Sequence, residues 1–264
     1  MIFKQKTIPI LVDREKCLAY AAEFTPLLER RFNVALDVRY PEEEEFLEEL
    51  AAREDAREAL RQHHKDRSRS SGLYYPDMNA ILFYPEDMYN DCETAYTSMH
   101  ELAHAVEMAL REDGRAAPAG AQTLEEVLTE GFADHVSVDL MAGAYGLQET
   151  DDFLERKRAI LKSQRQRYER WGLYLLQDDL GTVMPDAQLS PAKRLWLRFL
   201  LWNDDAELYD YSYSVGYALF TEAQANRISA ETVLRHPPAD LNEVLSPADY
   251  LGRLKTARPR PRRR

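Results

Sequence analysis

The pattern of apolar and polar residues predicts alternating strands and helices at the start of the chain. Residues 7–12 are mostly apolar, and residues 32–39 alternate apolar with polar or small side chains, as strands do. Residues 13–31 have a helical pattern, and Pro26 predicts a break because proline lacks the N–H of a helical hydrogen bond. Residues 42–61 are rich in Glu, Ala, Leu and Arg, and therefore predict a further helix.

A hairpin is predicted next along the chain. The apolar and aromatic runs at 73–75 and 80–84 flank residues 76–79, whose sequence Pro-Asp-Met-Asn is typical of a turn. The polar stretch 63–72 before it predicts an exposed loop. In that loop, His63 and His64 predict a surface pair, because no further ligand stands at metal-binding spacing from them.

From residue 91 onward the pattern predicts helices alone, separated by loops of small residues such as 114–121. The predicted helices span 91–111, 123–142, 150–180, 190–202, 211–226 and 246–255. Together with the first part of the chain, they predict an α+β fold. It consists of a small N-terminal mixed sheet followed by a mainly α-helical half.

The organisation of the chain predicts one domain. The sequence has neither an internal repeat nor a stretch that is typical of a domain linker. We therefore expect a single domain over 1–257, with an α+β part at 1–90 and a helical part at 91–257. The remaining residues, 258–264, are arginines and prolines, and they predict a disordered basic tail.

Composition and charge disfavour several classes of function. A net charge of −12 disfavours a general nucleic-acid-binding surface, which needs clustered cations. No run of residues approaches the ~20 apolar residues of a membrane span, and no signal-peptide pattern is present. Two distant cysteines do not form a disulfide framework. We expect a cytoplasmic protein, with secretion without a cleaved leader as the alternative. The sequence predicts no particular oligomeric state.

The main chemical signal is the sequence His-Glu-Leu-Ala-His at 100–104. Two histidines four residues apart on a helix project from one face, so His100 and His104 can reach one tetrahedral metal ion. Glu101 lies about 100° around the helix from His100, beside the metal rather than on it. From there its carboxylate can accept a proton from a water that the metal activates.

A second motif, Glu-Gly-Phe-Ala-Asp at 130–134, lies on the next predicted helix. A catalytic zinc needs a third protein ligand and one open position for water, and Glu130 can supply that ligand. Asp134 is one turn further on the same face and can accept a hydrogen bond from a ligating histidine. Other carboxylates stay open as alternatives for the third ligand: Glu126, one turn before Glu130, Glu125 and Glu107.

The two motifs in this order resemble the gluzincins, the clan of zinc peptidases that includes thermolysin and the zinc aminopeptidases. The resemblance covers about 80–141 and implies a zincin-like fold, one Zn²⁺ per chain and peptide-bond hydrolysis. It implies that His100, His104 and Glu130 are the metal ligands. It also implies that Glu101 is the general base and that Asp134 is a supporting carboxylate. The metzincin ligand set is excluded, because Glu107 and Leu110 stand where its glycine and third histidine would be. The spacer 105–129 is longer than in well-known gluzincins, which we attribute to an insertion at 114–121.

The same resemblance predicts a group that stabilises the oxyanion. Amide hydrolysis builds negative charge on the carbonyl oxygen, and a Tyr or His often helps the metal to stabilise it. Residues 211–218 resemble the Tyr-x-x-Gly-Tyr helix downstream of the metal site in gluzincin-like peptidases. We prefer Tyr213 for this role, followed by Tyr217 and Tyr211, with His236 as a further candidate.

The sequence therefore predicts a zinc-dependent peptidase acting on a peptide or protein substrate. By the same resemblance, strand 80–84 is the edge along which an extended peptide binds. The hairpin at 72–75 with the metal helix also resembles the ImmA/IrrE-type peptidases, which cleave one specific repressor but differ around the third ligand. A non-catalytic zinc module is another alternative, disfavoured because a structural site has no use for Glu101. A peptidase effector delivered into another cell is a third.

Overall fold

The structure, a computed structural model, describes residues 12–68, 70–88, 90–119, 122–144, 152–156, 158–159 and 205–257. The chain divides into two compact units. One comprises Met1–Ala109 with Val136–Thr150, and the other Leu110–His135 with Asp151–Arg264. None of the described helices is both long and apolar enough to cross a membrane. The single-domain boundaries stay a prediction, and the tail at 258–264 lies outside the described residues.

The described part of the chain is mostly helical, with one small sheet. The helices are α1 Arg14–Phe32, α2 Glu43–Ala51, α3 Ala56–Arg67, α4 Asp91–Glu112, α5 Gln122–Ala144, α6 Asp205–Ala225, α7 Ala230–Arg235, α8 Leu241–Leu245 and α9 Ala248–Ala257. The strands are β1 Gly72–Tyr75 and β2 Ala80–Phe83. The α+β class is thus confirmed in its general form, but the sheet of the described residues is antiparallel and not mixed as predicted. Helices α7 and α8 were not predicted, because they are too short to show a helical period.

The predicted hairpin is confirmed. β1 and β2 pair antiparallel, in the register Gly72–Phe83, Leu73–Leu82, Tyr74–Ile81 and Tyr75–Ala80. A 3₁₀ turn at Pro76–Met78 connects them, and Asn79 follows with a left-handed φ of 43°. Asparagine tolerates this conformation better than most residues, which explains why the Pro-Asp-Met-Asn sequence closes the hairpin.

β2 has hydrogen bonds on both sides, so the prediction that it is an open edge is wrong for its first half. The Arg39 N–H donates to the Asn79 carbonyl and the Ile81 N–H donates to the Arg39 carbonyl, both at 2.9 Å. This parallel bridge between Arg39 and Ala80 is isolated, so the strand predicted at 32–39 is wrong. Phe32 is the last residue of α1, and Val34, Leu36 and Val38 are half-buried without a strand ladder. Residues 7–11 of the other predicted strand lie outside the described residues.

Helix α1 continues through Pro26, so the predicted break is wrong. The Asp13 carboxylate caps its first turn by accepting the Lys16 N–H at 2.9 Å. Its buried residues lie on both sides of the proline and are Cys17, Ala21, Phe24, Leu28 and Phe32. An interior proline costs about 3 kcal/mol, and burying several large side chains at about 1.5–3 kcal/mol each outweighs that cost.

The helix predicted over 42–61 is two helices, α2 and α3, and α3 extends to Arg67 where a loop was predicted. His63 on α3 is only 1% exposed, while His64 is exposed, so the predicted surface pair is wrong for His63. The His63 Nδ1 atom lies 2.7 Å from the Tyr75 hydroxyl, and its ring packs 5.9 Å from that of Phe46. The reason is tertiary: α3 packs beside the hairpin and covers this polar residue.

In the second unit, α5 and α6 approach each other backbone to backbone. A Cβ atom on Gly131 would lie 2.2 Å from the carbonyl carbon of Gly216, and one on Gly216 would lie 2.0 Å from the Val127 oxygen. No side chain fits at such distances. The glycines of the two predicted motifs therefore let these helices pack closely.

The connection between α4 and α5 is the predicted loop of small residues. Gly114 has a φ of 66°, a conformation that glycine adopts without strain. The Ala117 N–H donates to the Leu234 carbonyl at 2.9 Å, and Arg115 forms a 3.0 Å ion pair with Glu231. These contacts hold the connection against α7.

Candidate metal centre

His100, Glu101 and His104 lie on α4, as predicted. The helix begins at Asp91, where the Asn90 side-chain oxygen accepts the Glu93 N–H at 2.9 Å. The imidazoles of His100 and His104 meet edge to face, with centroids 4.7 Å apart and Nε2 atoms 3.1 Å apart. Two Nε2 atoms that converge in this way can both bind one ion, because tetrahedral zinc ligands at ~2.1 Å lie about 3.4 Å apart.

Glu130 on α5 completes a three-residue group. One ligand atom from each of His100, His104 and Glu130 lies within 4.8 Å of the other two. His100 is buried, and the other two side chains are partly exposed. The chain therefore contains a His-His-Glu group that could hold a metal ion. It combines the candidate ligands that lie in two separate sequence motifs.

The alternative carboxylates have other surroundings. Glu125 accepts the Ala119 N–H at 2.6 Å and pairs with Arg111, so it anchors the loop before α5. Glu126 is exposed on the first turns of α5. Glu107 is buried on α4, at 2% exposure. The His-His-Glu group contains none of these three.

The side chain of Glu101 is buried, at 5% exposure, beside strand β1. A Cβ atom on Gly72 would lie 2.9 Å from the Glu101 Cγ atom. The charge of Glu101 also acts on Tyr75 of the same strand. Burial raises the pKa of Tyr75 above its ordinary value, and the nearby charges of Asp66 and Glu101 raise it further.

Asp134 and His135, after Glu130 on α5, are both buried. Asp134 has no exposed surface, and a buried carboxylate is stable only with hydrogen-bond or cationic partners. Its role in holding a ligating histidine stays a prediction. The ring of His135 packs against α6, 6.0 Å from Phe220 and 6.3 Å from Tyr217.

The candidates for the oxyanion-stabilising group lie on α6 and at the end of α7. Tyr213 and Tyr217 are half-buried on α6, and the side chain of Tyr211 lies outside the described residues. His236 is exposed, and its backbone carbonyl accepts the Tyr250 hydroxyl at 2.9 Å. Which of these residues acts on a substrate stays a prediction.

Tyr96, which the sequence did not single out, packs on His100. Its ring lies one turn before His100 on α4, with centroids 6.1 Å apart and planes at 30°. The four-residue spacing from His100 was the available signal, since residues so spaced share a helix face.

No protein-family model, curated protein or solved structure significantly matches this chain.

Proposed function

We propose that this protein is a zinc-dependent peptidase, with His100, His104 and Glu130 as the metal ligands. The observation that supports the proposal is the convergence of one ligand atom from each residue within 4.8 Å. Two imidazoles and one carboxylate are a donor set of catalytic zinc sites, which keep a fourth position for water or substrate. The residues thus fit one Zn²⁺ per chain.

Glu101 is the general base in this proposal. Zinc, when bound, supplies a Lewis acid that polarises the scissile carbonyl and lowers the pKa of a water molecule. The Glu101 carboxylate accepts the proton of the attacking water and passes it to the leaving amine. Because the side chain is buried against β1, it loses little conformational freedom when a substrate binds.

Two further side chains have supporting roles in the proposal. Asp134 accepts a hydrogen bond from the non-ligating nitrogen of a zinc histidine and thereby fixes the orientation of its ring. Tyr213 donates its hydroxyl hydrogen to the oxyanion that develops on the substrate carbonyl. The burial of Asp134 and the partial exposure of Tyr213 are compatible with these roles.

Glu101→Gln tests the proposal, because glutamine keeps the shape of the side chain but cannot accept the proton. We expect the variant to keep about one zinc per chain while hydrolysis of a fluorogenic peptide library falls by at least ~100-fold. Elemental analysis gives the zinc content. Glu126→Gln, at an exposed site on α5, is the matched control and should keep both properties.

Two results would reject the proposal in different ways. Wild-type protein that binds no zinc would remove the metal site itself. Wild-type protein that binds zinc but hydrolyses no peptide would leave a non-catalytic zinc module in its place.

A further inference from the structure

Gly72, the first residue of β1, lies directly against the side chain of Glu101. A Cβ atom at this position would lie 2.9 Å from the Glu101 Cγ atom and 3.4 Å from its carboxylate carbon. It would also lie 2.8 Å from the Cγ2 atom of Thr97, one turn earlier on α4. Carbon atoms without a bond between them pack at about 3.5–4.0 Å. The space that a side chain at position 72 would need is therefore occupied by Glu101 and Thr97.

The backbone at Gly72 is held in place by the hairpin. Gly72 pairs with Phe83 of β2, and the Ser70 hydroxyl donates to the Gly72 carbonyl. The next bond of the ladder runs from the Tyr84 N–H to the Ser71 carbonyl, at 2.9 Å. Because these bonds hold β1 on β2, the strand cannot retreat easily from α4. The long Glu101 side chain is the part that would move.

A glycine in a strand has a cost, because it contributes no side chain to packing and loses more chain entropy than other residues. The φ angle of Gly72 is not in the left-handed region, so the conformation itself does not require glycine. The close approach to Glu101 does require it. This contact explains why glycine stands at position 72.

We propose that Gly72 is a positioning residue for Glu101. Because Gly72 has no side chain, the backbone of β1 packs directly against Glu101 and confines its carboxylate to one orientation. The three atoms nearest to a methyl group at position 72 belong to Thr97 and Glu101, so the methyl group displaces the Glu101 carboxylate first. This inference rests on the proposed function, in which Glu101 is the general base.

Gly72→Ala tests the inference by two measurements. The first is the ¹³C resonance of the Glu101 carboxylate in metal-free protein with labelled glutamate, assigned by its loss in Glu101→Gln. We expect Gly72→Ala to shift this resonance. The second is peptide hydrolysis by the zinc-loaded protein. We expect kcat to fall roughly 10- to 100-fold, since a misplacement of about 1 Å can cost that much, while KM and zinc content stay unchanged.

Gly252→Ala is the matched control, because a Cβ atom there meets no atom within 4 Å. It should leave the resonance and kcat unchanged. If Gly72→Ala does not fold, the double variant Gly72→Ala/Thr97→Ala removes the 2.8 Å contact and keeps the contact with Glu101. The double variant should show the same shift and the same fall in kcat.

The possible failures can be told apart. An active wild type whose position-72 variants keep both the resonance and kcat overturns the role of Gly72 alone. A zinc-loaded wild type without hydrolysis overturns the proposed function, and the role of Gly72 in catalysis with it. A shifted resonance with an unchanged kcat also overturns the positioning role, because the displacement would then have no consequence for the reaction.

Discussion

At the scale of single residues, Glu130 and Asp134 lie one turn apart on α5 but are expected to respond differently to substitution. Glu130→Ala removes one of the three proposed metal ligands and should nearly abolish zinc retention under mild chelation. Asp134→Asn leaves all three ligands in place, so zinc affinity should fall only about 10- to 100-fold. Competitive titration with a chromophoric chelator measures both effects.

Glu126→Ala is the control for this pair, since Glu126 is the alternative ligand one turn earlier and is exposed. It should bind zinc as tightly as the wild type. If Glu126→Ala lost the metal while Glu130→Ala kept it, the third ligand would lie one turn earlier. The role given to Asp134 would then be wrong as well.

His63 gives a prediction about pH. Burial lowers the pKa of His63 below its ordinary value of 6.5, although the charge of Glu43 opposes the shift. The unfolded chain therefore binds a proton at higher pH than the folded chain does. The contribution of neutral His63 to the free energy of unfolding is therefore complete above about pH 6.5. It is lost as the pH falls through the pKa that His63 has in the folded chain.

His63→Asn should reduce this pH dependence, since asparagine does not titrate. The measurement is the free energy of urea unfolding at about pH 7.5 and about pH 5.5. The wild type should lose more stability between these values than His63→Asn loses. His64→Asn, the exposed neighbour, should behave like the wild type. Equal losses in all three proteins would contradict the assignment.

At the scale of elements, the crossing of α5 and α6 gives a prediction in which two effects have opposite signs. Replacing a helical glycine by alanine normally stabilises by up to ~1 kcal/mol. At Gly131 and Gly216, a Cβ atom would overlap backbone atoms at 2.2 and 2.0 Å, so overpacking should win. We expect Gly131→Ala and Gly216→Ala each to destabilise by about 1–3 kcal/mol or more.

Gly143→Ala on the same helix is the control, because a Cβ atom there meets nothing within 4 Å. It should be neutral or stabilising by a few tenths of a kcal/mol, so the sign of the change separates crowding from helix propensity. Urea unfolding of the three variants gives the comparison. Stabilisation by Gly131→Ala would show that the helices do not pack closely at this point.

The elements that were predicted correctly have their causes within a few residues of sequence. α4 follows from its apolar period, and the hairpin follows from the turn sequence around Asn79. The errors depend on contacts with distant residues. α1 continues through Pro26 because its apolar residues are buried on both sides, and α3 extends past His63 because that side chain packs with Phe46 and Tyr75.

The candidate site also has a part that could be predicted from local sequence and a part that depends on the fold. His100, Glu101 and His104 follow from spacing on one helix, and Glu130 could be proposed only because a second motif follows on the next. Their convergence is a property of the folded chain. The close contacts of Gly72, and those of the glycine pair on α5 and α6, could not be predicted from the sequence. The residues around a glycine do not show which distant atoms pack against it.

At the scale of the whole molecule, the proposed metal site links zinc binding to the stability of the chain. A ligand that binds only the folded state stabilises it by RT ln(1 + [L]/Kd), about 4 kcal/mol at a thousandfold excess over Kd. His100 and Glu130 lie on different helices, far apart in sequence, so an unfolded chain cannot present the three-residue group. Zinc should therefore bind the folded chain in strong preference.

Thermal unfolding with and without zinc checks this linkage. One kcal/mol corresponds to roughly 2–4 °C for a chain of this size, so saturating zinc should raise Tm by about 10 °C, and a chelator should reverse the rise. His104→Ala should remove most of the rise, because only two of the three proposed ligands would remain. Glu101→Gln should retain it, because its carboxylate is not a ligand in the proposed site. A rise that survived His104→Ala would mean that zinc stabilises the chain from another position. A loss of the rise in Glu101→Gln would mean that Glu101 itself binds the metal, and the general base would then have to be another residue.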